Sequence, residues 1–423
     1  MNTPRIAIVG AGSRGLSYAR LAAEQGARIT AVADPDPARV HALTSALPQQ
    51  DIQELASWQE LAASGTTLAD AAVIATPDQE HAEPAIGLAR AGLHLLVEKP
   101  MATTEEQAQG MVDAARKNEV MLAVCHVLRY SDYSQRLFGL VDAGRIGDVV
   151  SVEHLEPIGW WHFAHSYVRG NWAKEATSSP MLMAKSSHDV DWLIRLVGRA
   201  VEEVSSYGGL YHFRPENKPA QAAERCLDCP LQNDCAYSAT RIYRGFLGNP
   251  SYERWPLAVL DPVVTAQNIE RALREGPYGK CVYLGQNDVA DHQVVNFQFA
   301  GGATASFTVT AFTDLDFRKT RVFGTTGSIE GDGRTITLHD FATNRKEHID
   351  LDAEGTGSAA DGHGGADGSL VQAFLDALRT SDSARVSSPE ESLASHRVVW
   401  AAEESRRSGQ NVSLRAWSAV PAG

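Results

Sequence analysis

The chain has 423 residues, 43% hydrophobic and 21% charged, and 38 basic against 52 acidic side chains give a formal net charge of −14. At roughly 150 residues per domain this length predicts two or three domains with ample core, and the acidic balance excludes a binder of the nucleic-acid phosphate backbone, whose footprint is a basic stripe. No stretch approaches the roughly 18 unbroken apolar residues of a membrane span, no cationic-then-apolar signal pattern opens the chain, and five cysteines do not make a secreted disulfide framework, so the expectation is a soluble, cytoplasmic α/β protein without nucleic-acid or membrane partners.

Arg5–Val9 (RIAIV) is a short β-branched run and reads as a buried parallel strand. Gly10-Ala11-Gly12-Ser13-Arg14-Gly15 follows, a G-x-G-x-x-G leading into the helical pattern of Leu16–Glu24. In that context Gly10 makes the tight turn, Gly12 admits a pyrophosphate to the backbone, and Gly15 permits close helix–strand packing. The N–H groups of Ser13, Arg14 and Gly15 then open the helix toward the phosphates. A second strand, Arg28–Ala33, ends in Asp34, at the usual ~20-residue distance for a carboxylate that binds the ribose hydroxyls and repels a 2′-phosphate, which favours NAD. The competing role for Asp34 is the N-cap of a helix starting near Pro35–Asp36.

The alternation continues with strands Ala71–Ala75, Leu93–Val97 and Val120–Val124, separated by helices Asp78–Ala91 and Thr103–Lys117. Strands spaced by such helices predict right-handed βαβ units in a doubly wound parallel sheet, with ligand at the carboxyl ends of the strands. Thr76-Pro77-Asp78, Glu98-Lys99-Pro100 and His126 occupy those ends.

The glycine fingerprint, ATPD (75–78) with His81, and EKP (98–100) together resemble the Gfo/Idh/MocA family of glucose–fructose oxidoreductase and inositol dehydrogenase relatives. GRIGDVVSVEH (144–154) and SHDVDWLIRLVG (187–198) extend the likeness over nearly the whole chain. The resemblance implies an NAD-binding Rossmann domain over 1–127. It also implies a substrate domain over 128–423 with an open, mainly antiparallel sheet that often mediates homo-oligomers. Thr76, Pro77, His81, Glu98 and Lys99 would then join the cofactor site. Family members mostly move a hydride at a secondary hydroxyl of a sugar or cyclitol, and one branch cleaves glycosidic bonds with no net redox change.

The second half agrees on its own terms. Val201–Tyr211, Lys280–Gly285, Gln293–Phe299, Ala303–Ala311, Thr320–Phe323 and Thr335–His339 read as antiparallel strands. Two late helices, Ser369–Leu378 and Pro389–Ser408, are expected to pack back on the first domain. Glu354–Gly368, with His363, reads as a lid or a linker.

Hydride removal from a carbinol needs a base and a positive group for the developing alkoxide. Lys99 suits one of these roles. His188, at the start of a helix bearing Asp191, Trp192 and Arg195, suits proton exchange. Relatives often carry an Asp four residues before this His; here that position is Ala184, with Lys185 beside it. A second lysine near Lys99 would push one pKa down and make a base near neutrality. His126, Arg129 and Tyr130 follow the last Rossmann strand, where substrate hydroxyls would be met, with Tyr130 a further candidate base. In the aromatic run WWHFAHSYVRGNW (160–172), Trp161, His165, Arg169 and Trp172 are candidates for a sugar wall. Arg129, Arg169 and Lys174 would suit an acidic sugar. Cys226-x-x-Cys229 and Cys235, in an insertion at 215–250, offer thiolate ligands for a structural zinc with His212 as the fourth. An iron–sulfur cluster or three reduced thiols are the alternatives there, and Cys125 and Cys281 read as inert core residues.

The function expected is therefore oxidation of a sugar ring hydroxyl, at C3, with hydride transfer to NAD. The first alternative is a redox-neutral glycosidase, in which a 3-keto group acidifies the C2 hydrogen and the C1 substituent is expelled. A non-catalytic NAD-sensing regulator is the second.

Overall fold

The computed structural model describes Thr3–Leu351 and Gly365–Arg415. Most of the expected lid or linker, Glu354–Gly364 with His363, lies outside the described residues. The chain divides into two compact units, Met1–Arg136 with Met183–Gly198 and Gly365–Trp400, and Leu137–Leu182 with Arg199–Gly364 and Ala401–Gly423.

The first unit is built on six strands: β1 (Arg5–Val9), β2 (Arg28–Ala33), β3 (Gln53–Leu55), β4 (Ala71–Ile74), β5 (His94–Val97) and β6 (Leu122–Val124). They run parallel in the order β3-β2-β1-β4-β5-β6. The order reverses between β1 and β4, which opens a crevice at the carboxyl ends of those two strands. Small and β-branched side chains fill both faces. Ile6 and Ile8 face helices Ser13–Glu24 and Ala366–Thr380 through Tyr18, Leu370 and Phe374. Ala7 and Val9 face helices Ala82–Arg90 and Glu105–Lys117 through Leu88 and Met111. Each fully buried large side chain contributes about 1.5–3 kcal/mol of transfer free energy.

Local chemistry moves several expected helix ends. Asp36, not Asp34, caps the helix Pro37–Ser45, its carboxylate accepting from Ala38 N–H at 2.9 Å. Thr104 caps Glu105–Lys117 by accepting from Gln107 N–H at 3.3 Å. The helix expected to begin at His188 runs over Met181–Val197, so His188 lies in its interior.

Among its described residues the second unit carries nine strands: β7 (Val149–Pro157), β8 (Val201–Gly209), β9 (His292–Phe299), β10 (Thr304–Thr310), β11 (Lys319–Gly324), β12 (Gly327–Gly331), β13 (Thr335–Asp340), β14 (Arg345–Asp350) and β15 (Val412–Ser413). Their order is β14-β13-β12-β11-β7-β10-β9-β8-β15. Only β7 and β10 pair parallel; the other neighbours are antiparallel. Along β9, Gln293, Val295, Phe297 and Phe299 are buried while the intervening residues face outward, the period-2 pattern of a sheet covered on one side.

Lys280–Gly285 is not a strand. It makes one isolated bridge, Arg225 to Lys280, its Cys281 N–H is taken by Glu224 O at 2.8 Å, and Gly285 turns the chain with φ +67°. The insertion at 215–250 is helical over Ala239–Phe246, and the later helix Ala266–Glu275 packs with it, bringing Tyr243 and Leu273 into one core with Trp161. Among the described residues no helix is long and apolar enough to cross a membrane.

Candidate active site

At the end of β1 the chain turns through Gly10 with φ +90°, and a Cβ there would sit 2.6 Å from Ala75 O. A Cβ on Gly15 would run into Gly10 O, so this glycine lets the helix lie against the strand. Gly12 differs, because a Cβ built on it meets nothing within 4 Å. The fold leaves that space open, as a pyrophosphate against the backbone requires. The first intrahelical bond is Leu16 N–H to Gly12 O at 2.9 Å, so the N–H groups of Ser13, Arg14 and Gly15 precede it at the positive end of the helix.

Asp34, 6% exposed at the end of β2, binds this loop directly. One carboxylate oxygen accepts from Ala11 N–H at 2.7 Å and the other from Asp36 N–H at 2.8 Å. Beside the ribose acceptor and the helix cap expected from sequence, this is a third role for Asp34, a clamp on the glycine turn. Each oxygen keeps a further lone pair for a ribose hydroxyl. A glycine loop, an open helix start and an adjacent carboxylate fit a dinucleotide.

Arg14 is not directed at phosphate. Its guanidinium meets both oxygens of Asp367 at 2.8 Å, Glu98 and the Tyr18 hydroxyl. Glu98 also accepts from Tyr18 OH at 2.9 Å and from Lys99 N–H at 2.8 Å. Burial alone would raise its pKa, but Arg14 and Lys99 outweigh burial and hold the carboxyl below its ordinary value. His81 sits between the carbonyls of Pro100 (2.7 Å) and Thr76 (2.8 Å), joining the loops that follow β4 and β5. Thr76 itself donates to Glu80 O at 3.1 Å and is followed by Pro77 at the head of a short turn.

Beyond β5, Lys99 precedes a cis Pro100, and its ammonium donates to the Ala184 carbonyl on helix Met181–Val197. Burial pulls the Lys99 pKa below the ordinary lysine value, Glu98 opposes, and the charge of Lys185 lowers it further. On the same helix Lys185 and His188 are three residues apart and hence neighbours on its surface. His188 is 1% exposed, with Nε2 3.5 Å from an Asp189 carboxylate oxygen. Lys99, Lys185 and His188 thus belong to one unit, at the carboxyl edge of the parallel sheet.

Several expected substrate contacts are already engaged. Arg129 forms a two-pronged pair with fully buried Asp191 at 2.6 and 2.7 Å. The Tyr130 hydroxyl accepts from Ser387 N–H at 3.3 Å, and burial raises its pKa, the wrong direction for a base. His126 is fully buried, 4.0 Å from Asp191 and beside the ring of His396, with both ring nitrogens unbonded. The pairing of Arg129 with Asp191, of Arg14 with Asp367 and the contact of His126 with His396 carry no sequence signal, because they join residues distant in sequence.

In the second unit the expected sugar wall is largely core. Trp161 is 7% exposed and packs on Phe246 and Trp255, with ring centroids 4.8 and 5.2 Å away. His165 bonds the Tyr243 hydroxyl at 2.9 Å and stacks on Tyr278, and burial with Arg169 drives its pKa down to about 3. Arg169 is buried against backbone carbonyls, and Lys174 lies 3.6 Å from Asp288. Of the wall candidates Trp161, His165, Arg169 and Trp172, the last is partly exposed and the others are buried. The expected zinc site is also corrected. Among the described residues no group of three His, Cys, Asp or Glu side chains is placed to hold a metal ion, and His212 instead pairs with the Tyr283 hydroxyl at 2.9 Å.

Comparison with known proteins matches two family models. Residues 4–126 match the oxidoreductase family NAD-binding Rossmann fold, and residues 139–414 match the same family's C-terminal α/β domain. A Bacillus subtilis relative, YteT, is 24% identical over 317 residues, 71% of this chain and 69% of its own length. The 2,7-anhydro-N-acetylneuraminate hydratase of Escherichia coli is 29% identical over 212 residues, 49% of this chain and 54% of that protein. The chain therefore spans only about half the length of that curated relative. In fold, the scyllo-inositol dehydrogenase of Lactobacillus casei, solved with NAD(H) and scyllo-inositol, superimposes with a TM-score of 0.65 at 16% identity, covering 98% of this chain and all of that one.

Proposed function

The chain belongs to the Gfo/Idh/MocA family of NAD-dependent oxidoreductases, and we propose that it oxidises a ring hydroxyl of a sugar or cyclitol, at C3, as a dehydrogenase. Gly10, Gly12, Gly15 and Asp34 hold the dinucleotide in this reading, and bound there NAD supplies the hydride acceptor. The Asp34 carboxylate disfavours a 2′-phosphate, hence NAD over NADP.

The observation that carries the reading is Lys99. Its amine has a lowered pKa and meets position 184 through a neutral backbone carbonyl. The carboxylate that relatives often place at 184 would raise that pKa; alanine does not. Lys99 therefore reaches the free-amine form at lower pH than an ordinary lysine and accepts the hydroxyl proton. Lys185, one turn from His188, stabilises the developing alkoxide. His188 hands the proton onward.

A panel of sugars, cyclitols and glycosides with NAD tests this, following NADH absorbance and aglycone release together. Lys99→Met should lose about 10²–10⁴ in turnover, and unchanged turnover would remove Lys99 from the mechanism. The pair of lysines also supports a second reading, redox-neutral cleavage of a glycoside, because abstraction of the C2 hydrogen needs a further proton-transfer group. Aglycone release without net NADH, accompanied by deuterium exchange at C2, selects it. A homo-oligomer through the outward face of the nine-stranded sheet, where Tyr207 and Val294 are exposed, completes the proposal; light scattering tests it.

A further inference from the structure

The second unit contains a cavity of about 340 Å³ lined by Cys226, Cys229, Cys235 and Cys281 together with Arg169 and Tyr237. Four of the chain's five cysteines therefore share one cavity, and all are free thiols. They arrive on separate segments. Cys226 opens a short turn and Cys235 ends the following loop, while Cys281 is brought in by the Arg225–Lys280 bridge and the Glu224–Cys281 hydrogen bond at 2.8 Å.

Arg169 makes the cavity unusual. It is 4% exposed, and its donors reach Lys280 O and Tyr237 O at 2.8 Å each and the Cys226 sulfur at 3.7 Å. Its Nη1 is buried and makes no hydrogen bond of good geometry, the Tyr243 hydroxyl beside the guanidinium is neutral, and no carboxylate among the described residues pairs with it. Carbonyls solvate a guanidinium but do not neutralise it, and a buried charge without a counter-charge is strongly unfavourable. Neutral thiols cannot serve. Thiolates can, but four of them together require a cationic core.

We propose that this cavity holds an iron–sulfur cluster ligated by Cys226, Cys229, Cys235 and Cys281, with Arg169 as its buried counter-charge. Four cysteine thiolates are the usual ligand set for such clusters. A single ion fits less well, since no three described ligands are placed to hold one, whereas a cluster extends across the space between them. A [4Fe–4S] dication held by four thiolates of a cluster donor would pass over by ligand exchange: four Fe–S bonds to the donor break as four form to these cysteines, and the four S–H protons move to the donor's released thiolates. No electron is transferred in this step. The product is a dianion that Arg169 half offsets. Its role is structural, tying the Cys226–Cys235 segment to the Cys281 turn and to the helical segment Ala164–Arg169.

The full chain, purified anaerobically and reconstituted with equal parts of ferrous and ferric iron and with sulfide, tests the proposal. Expected are about four irons and four labile sulfides per chain, a broad visible charge-transfer band, and protection of four thiols from an alkylating reagent. Cys281→Ser should lose most of the iron, whereas Cys125→Ala in the other unit should load fully. Thiol protection in the unmutated protein keeps the test decisive should Cys281→Ser fold poorly. One zinc per chain at the same thiols, or no metal uptake with those thiols reactive, would overturn the cluster.

Discussion

Asp34 offers a quantitative test of how the cofactor loop is held. Its two carboxylate oxygens each take one backbone N–H, Ala11 at 2.7 Å and Asp36 at 2.8 Å, at a site only 6% exposed. Hydrogen bonds to a charged group contribute about 1.5–3 kcal/mol each. Asp34→Ala should therefore destabilise the apo protein by about 3–6 kcal/mol. Asp34→Asn keeps one acceptor oxygen but turns an amide N–H₂ toward the second N–H, so about half of that loss should remain. Urea titration of the apo protein measures both, with an unchanged slope required so that only the midpoint is interpreted. NAD affinity should fall in each variant, and discrimination against NADP should relax. If Asp34→Ala leaves apo stability within about 0.5 kcal/mol of the unmutated chain, the clamp is wrong and the residue serves the ribose alone.

Arg129→Met and Asp191→Asn should each cost about 3–5 kcal/mol, because each strands a buried partner, while the double variant should cost less than the sum; a raised KM at unchanged stability would instead make Arg129 a substrate contact. Lys185→Met should move the acid limb of the rate profile to higher pH, since the charge that lowers the Lys99 pKa is gone; a stationary limb refutes Lys99 as the base. His396 is held neutral, its pKa driven to about 3 by burial with His126 adding to it, Nδ1 facing Ser392 O and Nε2 accepting from Met101 N–H. Its folded pKa lies below the unfolded value near ~6.5, so the unfolded chain binds the extra proton between them. Stability is complete above about pH 6.5 and declines as pH falls toward about 3. His396→Gln should flatten that decline in urea midpoints, and an unchanged slope would count against it.

The Rossmann half was legible because its signals are local. β1 and β2 occur at the expected residues, since continuous β-branched runs bounded by glycine leave little choice but a buried strand. β14 was not legible. Its sequence, RKEHID, is charged and mostly exposed, so no apolar alternation marks it, and only pairing with β13 makes it a strand. Lys280–Gly285 failed in the other direction. A cysteine–valine–tyrosine run resembles a strand, yet the Lys280 N–H closes a turn on Pro277 O and the Cys281 N–H is taken by Glu224 O.

Side-chain roles divide along the same line. Arg14, Arg129 and Arg169 all read as ligand-binding cations, and sequence gives no means of separating them. Folding does so through partners far away in the chain. Arg14 is neutralised by Asp367, and Arg129 by Asp191. An arginine already matched to a carboxylate in this way has its charge offset before any anionic substrate arrives. Arg169 is the exception, since its partners are carbonyls and a thiol. Cys281, which looks like an inert core residue in isolation, shares the cavity of that unmatched charge with three other thiols. The sugar-wall candidates Trp161 and His165 are core for a related reason. The helices of the insertion cover them, and aromatic density along a chain does not reveal which face will be covered. Among these arginines, the one without a carboxylate partner is therefore where a further ligand is to be sought, and an anionic cluster would supply the missing charge.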